Sequence, residues 1–198
     1  MDPLRAYWDF DDLDGTEARF RALRAEALTQ LARVEGLREN FDAGDRLLDE
    51  AAAEPHPRVR IRIDLERGRL RRSGGDAQAA LPLFVAAYEA ARAGGEEWLA
   101  ADAAHMCALG ASDRAGFAAW TQRGIELAGS SESAAYWLGP LLNNLGWEHF
   151  DAGEHEQALA VFERALAARE LDPENVAALE DARAAVDEAR RALGRADA

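Results

Sequence analysis

Histidine and acidic side chains at helical spacing are the first candidates for chemistry in this chain. Asp102 and His105 would share one face of a helix, where they could act as an acid/base pair. His149, Asp151 and His155 could supply nitrogen and oxygen ligands to a metal ion. Neither group is specific, because no second histidine stands at ligand spacing from His105, and His155 follows a turn glycine, where solvated side chains are typical.

The chain also lacks the motifs of common enzyme sites. It contains no serine, cysteine and histidine set for nucleophilic catalysis, no glycine-rich phosphate-binding loop and no dinucleotide-binding fingerprint. The sequence therefore predicts a protein that is not an enzyme and that needs no metal and no other cofactor.

The net charge and the hydropathy of the chain argue against some classes of binding partner. Acidic residues outnumber basic ones by 37 to 23, and the formal net charge of −14 argues against nucleic acid and against an anionic membrane surface. The chain has no apolar run of about 18 residues, no signal-peptide pattern at its N-terminus and only one cysteine. These features predict a cytoplasmic protein with no membrane partner.

Small residues at regular intervals indicate how helices are arranged. Gly146 allows two antiparallel helices to approach closely, and Gly153 supplies the turn between them. The second helix then repeats small and large residues at i, i+4 and i+7, and three similar copies precede it at spacings of 36, 36 and 42 residues. The first-helix small residues are Ala32, Gly68, Ala104 and Gly146, and the second-helix triplets are Gly44, Leu48, Ala51; Ala80, Phe84, Ala87; Gly116, Trp120, Arg123; and Ala158, Phe162, Ala165.

This pattern resembles the tetratricopeptide repeat (TPR) family, in which a helical hairpin of about 34 residues recurs along the chain. The resemblance covers about Ala25 to Leu171 and is strongest in the second and fourth copies. It implies an all-α fold, a right-handed α-solenoid of about four TPR-like hairpins in residues 16–171. An N-terminal aromatic and acidic arm, residues 1–15, precedes these hairpins, and a C-terminal capping helix and tail, residues 172–198, follow them.

Several local features accompany this assignment. Thr16 is expected to cap the first helix, and Cys107, at a position that is apolar in the family, is expected to be a buried thiol. The aromatic arm either docks on the first hairpin, which we favour, engages another chain, or folds over the groove as a pseudo-ligand. The final helix is expected to open at Asp172 and to present a polar outer surface made of Glu180, Asp181, Arg183, Asp187, Glu188, Arg190 and Arg191.

The second copy departs from the family pattern, because Asp64, Arg67 and Arg71 fall where large apolar residues should face the core. Two arrangements are compatible with this. Either the helix is rotated so that Ile61, Leu65 and Leu70 pack inward, or Arg67 is partly buried against Asp64 or another carboxylate, since an unpaired buried guanidinium would cost several kcal/mol.

In a TPR solenoid the first helices line the concave surface, so the resemblance implies a groove made by their non-core positions. The predicted peptide-binding residues are Arg33, Arg62, Glu66, Arg69, Asp102, His105, Asn143, Asn144 and Trp147, and the neighbouring groove positions include Glu26, Thr29, Leu65, Trp98, Ala101 and Pro140. Arginine offers forked donors to carboxylates, asparagine can pair with a peptide main chain, and tryptophan is a rigid apolar anchor.

The sequence therefore predicts a non-catalytic protein–protein interaction scaffold that binds a protein or peptide segment with acidic and apolar residues. The chain has no lysine and does not reproduce the family's carboxylate clamp, so binding of chaperone C-termini is not implied. Three alternatives stay open. The groove residues could be ordinary solvated side chains with Trp147 packed on the next helix, the chain could self-associate as a homodimer through its arm and C-terminal helix, or it could sense a small molecule.

Overall fold

Residues 2–195 are described by the computed structural model, and in this range the chain is all-helical, with nine α-helices, two short 3₁₀ helices and no β-strand. Met1 of the predicted arm and residues 196–198 of the predicted tail lie outside the described residues. The helices are α1 Leu13–Leu37, α2 Phe41–Ala51, α3 Pro57–Ser73, α4 Ala77–Gly94, α5 Glu97–Gly110, α6 Arg114–Ser130, α7 Leu138–Asp151, α8 His155–Arg169 and α9 Val176–Ala192, and the 3₁₀ helices are Pro3–Tyr7 and Ala135–Trp137. None of these helices is long and apolar enough to cross a membrane.

The helices group into two units, Met1–Glu96 and Glu97–Ala198. In the first unit, α1 pairs with α2 and α3 pairs with α4, while α1 also lies alongside α3. The small and large residues of the first two copies are buried as predicted. The core that joins α1, α2 and α3 consists of Ala25, Ala32, Leu48, Ala51, Val59, Ile63 and Leu70.

In the second unit, α5 pairs with α6 and α7 with α8, and α9 packs on α8. The 3₁₀ helix Ala135–Trp137 contacts α5, α6 and α7. The final helix begins at Val176, later than the predicted Asp172, because the Asn175 side chain caps it by accepting a hydrogen bond from the amide of Ala178. Its inner face buries Ala185, Val186 and Ala189 against Ala158, Leu159 and Phe162.

Close helix packing in the second and fourth copies depends on a glycine beneath a phenylalanine. A Cβ added to Gly68 would lie 2.4 Å from Cε1 of Phe84, and one added to Gly146 would lie 2.4 Å from Cδ1 of Phe162. Both phenylalanines are fully buried, so the predicted small/large pairing is confirmed in these two copies.

The predicted triplet of the third copy is wrong. Arg123 is exposed, and its guanidinium carbon lies 4.4 Å from the centre of the half-buried Trp120 ring. A guanidinium cannot replace alanine in a core without a charged partner, so α6 turns another face inward. That face contains Thr121, Gly124, Leu127 and Ala128, and a Cβ at Gly124 would lie 2.8 Å from a methyl group of Leu141 on α7.

The N-terminal arm docks on α1 through part of its aromatic surface. The Tyr7 and Trp8 rings lie 5.8 and 5.5 Å from the ring of Phe20, while Trp8 and Phe10 remain 44% and 67% exposed. Thr16 is not the N-cap that we predicted. The Asp12 carboxylate caps α1 at the amide of Gly15, and the buried Thr16 hydroxyl donates to the carbonyl of Asp9.

Candidate functional site

The predicted groove residues of the first unit are brought together, but they bind one another. Arg33 on α1 donates to both carboxylate oxygens of Glu66 on α3, with Nε–Oε2 and Nη2–Oε1 distances of 2.9 and 2.6 Å. Arg69, one helical turn after Glu66, donates to Oε1 at 2.9 Å. The Glu66 side chain is only 1% exposed, so the two guanidinium groups compensate for the burial of its charge.

A second set of ion pairs lies further along the same helices. The Arg62 Nε atom is 2.8 Å from the Glu26 carboxylate, which Arg58 also approaches at 3.4 Å. Two neighbouring positions that we assigned to the groove, Thr29 and Leu65, are buried instead. Because α1 and α3 lie side by side, positions that we placed in a groove fall between the helices.

Arg67 and Arg71 lie on a different side of α3, against α2. Arg67 approaches Asp45 at 3.3 Å and Asp49 at 2.6 Å, and Arg71 donates to Asp45 at 2.7 Å. The hydrogen bond with Asp45 is the main reason that the pKa of Arg71 is raised. Arg67 is therefore partly buried against carboxylates, but these come from α2.

Asp64, the partner that we had considered for Arg67, is buried and bonds Arg60. Ile61, Leu65 and Leu70 are also buried, so α3 combines an apolar inner side with a paired charged side.

In the second unit the predicted residues form a mixed aromatic and amide surface on α5 and α7. His105 Nδ1 lies 3.4 Å from the side-chain nitrogen of Asn144, which joins the two helices. Asn143 is half-buried, and its side chain has no hydrogen-bond partner among residues 2–195. Asp102, by contrast, is buried, as is its neighbour Ala101, so both are wrong as exposed groove positions.

Trp147 completes this surface, four residues after Asn143 on the same face of α7. Its ring makes edge contacts with Phe162 and Phe150, at centroid distances of 5.0 and 5.4 Å. The residue is still 36% exposed. One side of the indole is thus held by the core while another side is open to solvent.

Sequence reasoning missed two aromatic residues beside this surface. Trp137 is buried, and its ring lies 5.3 Å from His105 and 5.2 Å from Trp98. Tyr136 is exposed and packs edge-on against Trp137 at 5.5 Å. The available signal was the 42-residue spacing, because the extra residues of that connection include this aromatic pair.

The candidate metal ligands are separated by other contacts. His149 Nδ1 lies 2.5 Å from the Glu154 carboxylate, which also bonds Arg114. Arg114 and then His149 lower the pKa of Glu154 to about 2. His155 is not a solvated helix start, because its ring is half-buried 4.8 Å from the ring of Phe150. Across residues 2–195, no cluster of histidine, cysteine and acidic side chains could hold a metal ion.

Cys107 is fully buried on α5, as predicted. Burial raises the pKa of its thiol to about 12, an effect that Arg123 opposes weakly. The thiol therefore stays protonated near neutral pH, and a protonated thiol is a poor nucleophile.

Comparisons with known proteins identify the fold and nothing finer. No protein-family model matches the chain, and no curated protein matches its sequence. The crystal structure of BtubC (BKLC) from P. vanneervenii is similar to this chain, with a TM-score of 0.73 and 19% sequence identity. The match covers 91% of this chain and 80% of BtubC, so the two proteins share a fold.

Proposed function

We propose that the chain is a TPR-like α-solenoid that acts as a non-catalytic protein–protein interaction scaffold and binds a peptide segment of a partner protein. Sequential helical hairpins and the glycine–phenylalanine pairs at Gly68 and Gly146 support the repeat assignment. One turn recurs at three hairpins, where the amides of Asn40, Asp76 and Glu154 donate to carbonyls five residues earlier. The same hydrogen bond also closes α4 and α9, so this turn is a general helix cap and is not specific to the hairpins.

The observation that carries the binding proposal is the surface of His105, Asn143, Asn144 and Trp147 in the second unit. Asn143 offers an amide whose donors and acceptor are unused by residues 2–195, which suits the main chain of an extended peptide. Trp147, held on one side by Phe162, offers a rigid apolar surface whose ordering costs little entropy on binding. Together they would accept an extended segment with a large apolar side chain.

The arginines of the first unit take a smaller part than their number in the sequence indicates. Arg33, Arg62 and Arg69 already bind Glu66 or Glu26, so acidic residues of a partner would compete with these internal carboxylates. We therefore assign the affinity mainly to the apolar and main-chain contacts in the second unit. Acidic residues of the partner would add a weaker, salt-sensitive contribution.

Selection of peptides from a random display library on the immobilised full chain tests this proposal. Selected peptides should share a large apolar residue and should bind at least tenfold more weakly to an Asn143→Ala, Trp147→Ala double variant. Trp8→Ala is the matched control, because Trp8 is a similarly exposed tryptophan that belongs to the first unit, where it packs on Phe20. Circular dichroism should be unchanged in both variants. If selected peptides bind the double variant as tightly as the wild type, the site is wrong.

A further inference from the structure

Exposed apolar side chains are concentrated at the start of the chain. Of eleven large apolar residues exposed among residues 2–195, seven lie before position 38. Scattered exposed apolar residues need no explanation, but a concentration of them marks an interaction surface. These seven are Leu4, Trp8, Phe10, Leu13, Leu31, Val34 and Leu37.

Part of this surface is a heptad pattern on the outer face of α1. The face runs at alternating spacings of four and three residues, and every member except the half-buried Phe20 is exposed. Alternating spacings of this kind form the contact seam of two-stranded coiled coils. The residues of this heptad face are Leu13, Glu17, Phe20, Arg24, Ala27, Leu31, Val34 and Arg38.

The outer surface of α9 differs from that of α1. The outer positions of α9 are mostly charged, for example Glu180, Asp181 and Arg183. On α1, the buried residues Ala22, Ala25, Thr29 and Ala32 lie on the other sides of the helix, whereas the heptad face is exposed. Two of its members have contacts within the chain, since Arg24 bonds Glu50 on α2 and Phe20 is partly covered by Trp8 of the arm. An exposed face with five apolar members out of eight marks α1 as an interaction surface.

We propose that the heptad face of α1 binds the same face of a second copy in an antiparallel two-stranded pair. A two-fold axis between Arg24 and Ala27 places Leu31 of each copy against Phe20 of the other, at equal distances from the axis. The same axis brings Arg38 of each copy to Leu13 of the other, next to the exposed aromatic arm. The small side chain of Ala27 lies beside the axis, where it allows the two helices to approach closely.

Charge favours a second copy as the occupant. The chain carries a net charge of −14, so two copies repel each other over most of their surfaces. The heptad face is an exception, because its charged members are two arginines and one glutamate, each of which is already paired with an oppositely charged side chain of the same copy. In the antiparallel pair, Glu17 of one copy lies near Arg38 of the other, twice by symmetry.

The size of the face also suits a dimer. A stripe from Leu13 to Arg38 is about 38 Å long at 1.5 Å per residue and about 10 Å wide. The two copies with their arms would bury on the order of 1,000 Å², near the lower limit for a specific interface. We therefore expect a dimer that dissociates in the micromolar range.

Analytical ultracentrifugation of the full chain over a range of concentrations tests the proposal. The apparent mass should rise from 21.6 kDa towards twice that value for the wild type, and Leu31→Glu should stay at the monomer mass at all concentrations. Val176→Glu, which changes an exposed apolar residue on α9, should dimerise like the wild type. A monomeric wild type, or a Leu31→Glu variant that still dimerises, would overturn the proposal.

Disulfide cross-linking tests the antiparallel geometry independently of any folding defect in Leu31→Glu. Glu17→Cys mixed with Val34→Cys should give a covalent dimer on oxidation, because the proposed axis brings these positions together. Each variant alone should not cross-link, since identical positions would be about 25 Å apart. Efficient cross-linking of Val34→Cys with itself would contradict the antiparallel pair.

The native Cys107 is buried and should not react. Trp147→Ala should dimerise normally, which separates this result from the peptide-binding proposal.

Discussion

The two units use equivalent helices in different ways. In the first unit, α1 and α3 meet through buried and half-buried ion pairs, with Glu66 bound by Arg33 and Arg69. In the second unit, the 3₁₀ helix at Trp137 packs on both α5 and α7, and the surface beside it consists of amides and aromatic rings. One repeating hairpin pattern thus produces a polar face that is internally satisfied and another that is partly open.

The difference shows that the number of charged residues on a predicted surface does not measure its binding capacity. A guanidinium that already donates to a buried carboxylate must break those hydrogen bonds before it can bind a ligand. A half-buried amide such as that of Asn143 loses only bound water. For this reason the second unit is the better candidate site, although the first unit has more arginines in the predicted groove.

The strongest test of the shared repeat framework is the removal of its large core side chains. Phe84→Ala in the first unit and Phe162→Ala in the second should each lower the free energy of unfolding by about 3–5 kcal/mol, because both rings are fully buried over a glycine. Trp120→Ala should cost under about 2 kcal/mol, since that ring is half-buried. Urea unfolding measures all three values. Equal losses at the three positions would restore the triplet that we predicted for α6.

The repeat framework was predictable because it depends on short-range patterns. Gly68 with Phe84 and Gly146 with Phe162 are 16 residues apart, and helical spacing was enough to pair them. The failure on α6 has a physical cause. Arg123 occupies the position of a small residue, and the helix buries Gly124 and Thr121 instead, a choice that depends on contacts with α7.

The sequence was enough to predict which residues lie at the candidate site, but not which of them bind one another and which stay available for a ligand. Sequence spacing places Arg33 and Glu66 on facing helices, yet it cannot tell whether they bind each other or a ligand. That outcome depends on the distance between α1 and α3. Trp137 was missed because it lies in a connection, where no helical period applies.

A second test asks whether the polar face of the first unit is structural. Arg33→Ala removes two hydrogen bonds from the buried Glu66 carboxylate and should destabilise the protein by about 1–3 kcal/mol. Asn144→Ala in the second unit should cost under about 1 kcal/mol, because that side chain is half-buried and its bond to His105 is long. Thermal or urea unfolding provides the measurement. A larger loss for Asn144→Ala would reverse the roles assigned to the two faces.

A third test concerns pH. The pKa of Glu154 is lowered to about 2 in the folded protein, chiefly by Arg114. A lowered folded pKa stabilises the protein above the unfolded pKa, and this contribution is lost as pH falls from about 4.5 towards 2. The difference in unfolding free energy between the wild type and Glu154→Gln should therefore be largest near pH 6 and shrink towards pH 2. Arg114→Ala should show the same profile, and a difference that is constant with pH would refute the assigned cause.

The smallest expected change in stability concerns the residue with a positive φ in each hairpin turn. At the same position of the recurring turn, the first hairpin has Glu39 with φ of 64°, whereas the others have Gly75 and Gly153 with φ of 88° and 74°. A left-handed conformation costs a non-glycine residue about 1–2 kcal/mol, and the extra freedom of glycine in the unfolded chain offsets part of this. Glu39→Gly should therefore raise the free energy of unfolding by about 0.5–1 kcal/mol.

Gly153→Ala is the matched reverse substitution. A Cβ at Gly153 would meet no atom within 4 Å outside its immediate neighbours, so any loss of stability must come from the backbone conformation. We expect a loss of about 1 kcal/mol in urea unfolding. Both substitutions could instead destabilise the protein. In that case the side chain of Glu39 must stabilise the folded state by more than its left-handed backbone conformation costs. The first turn would then be stabilised by contacts of the Glu39 side chain.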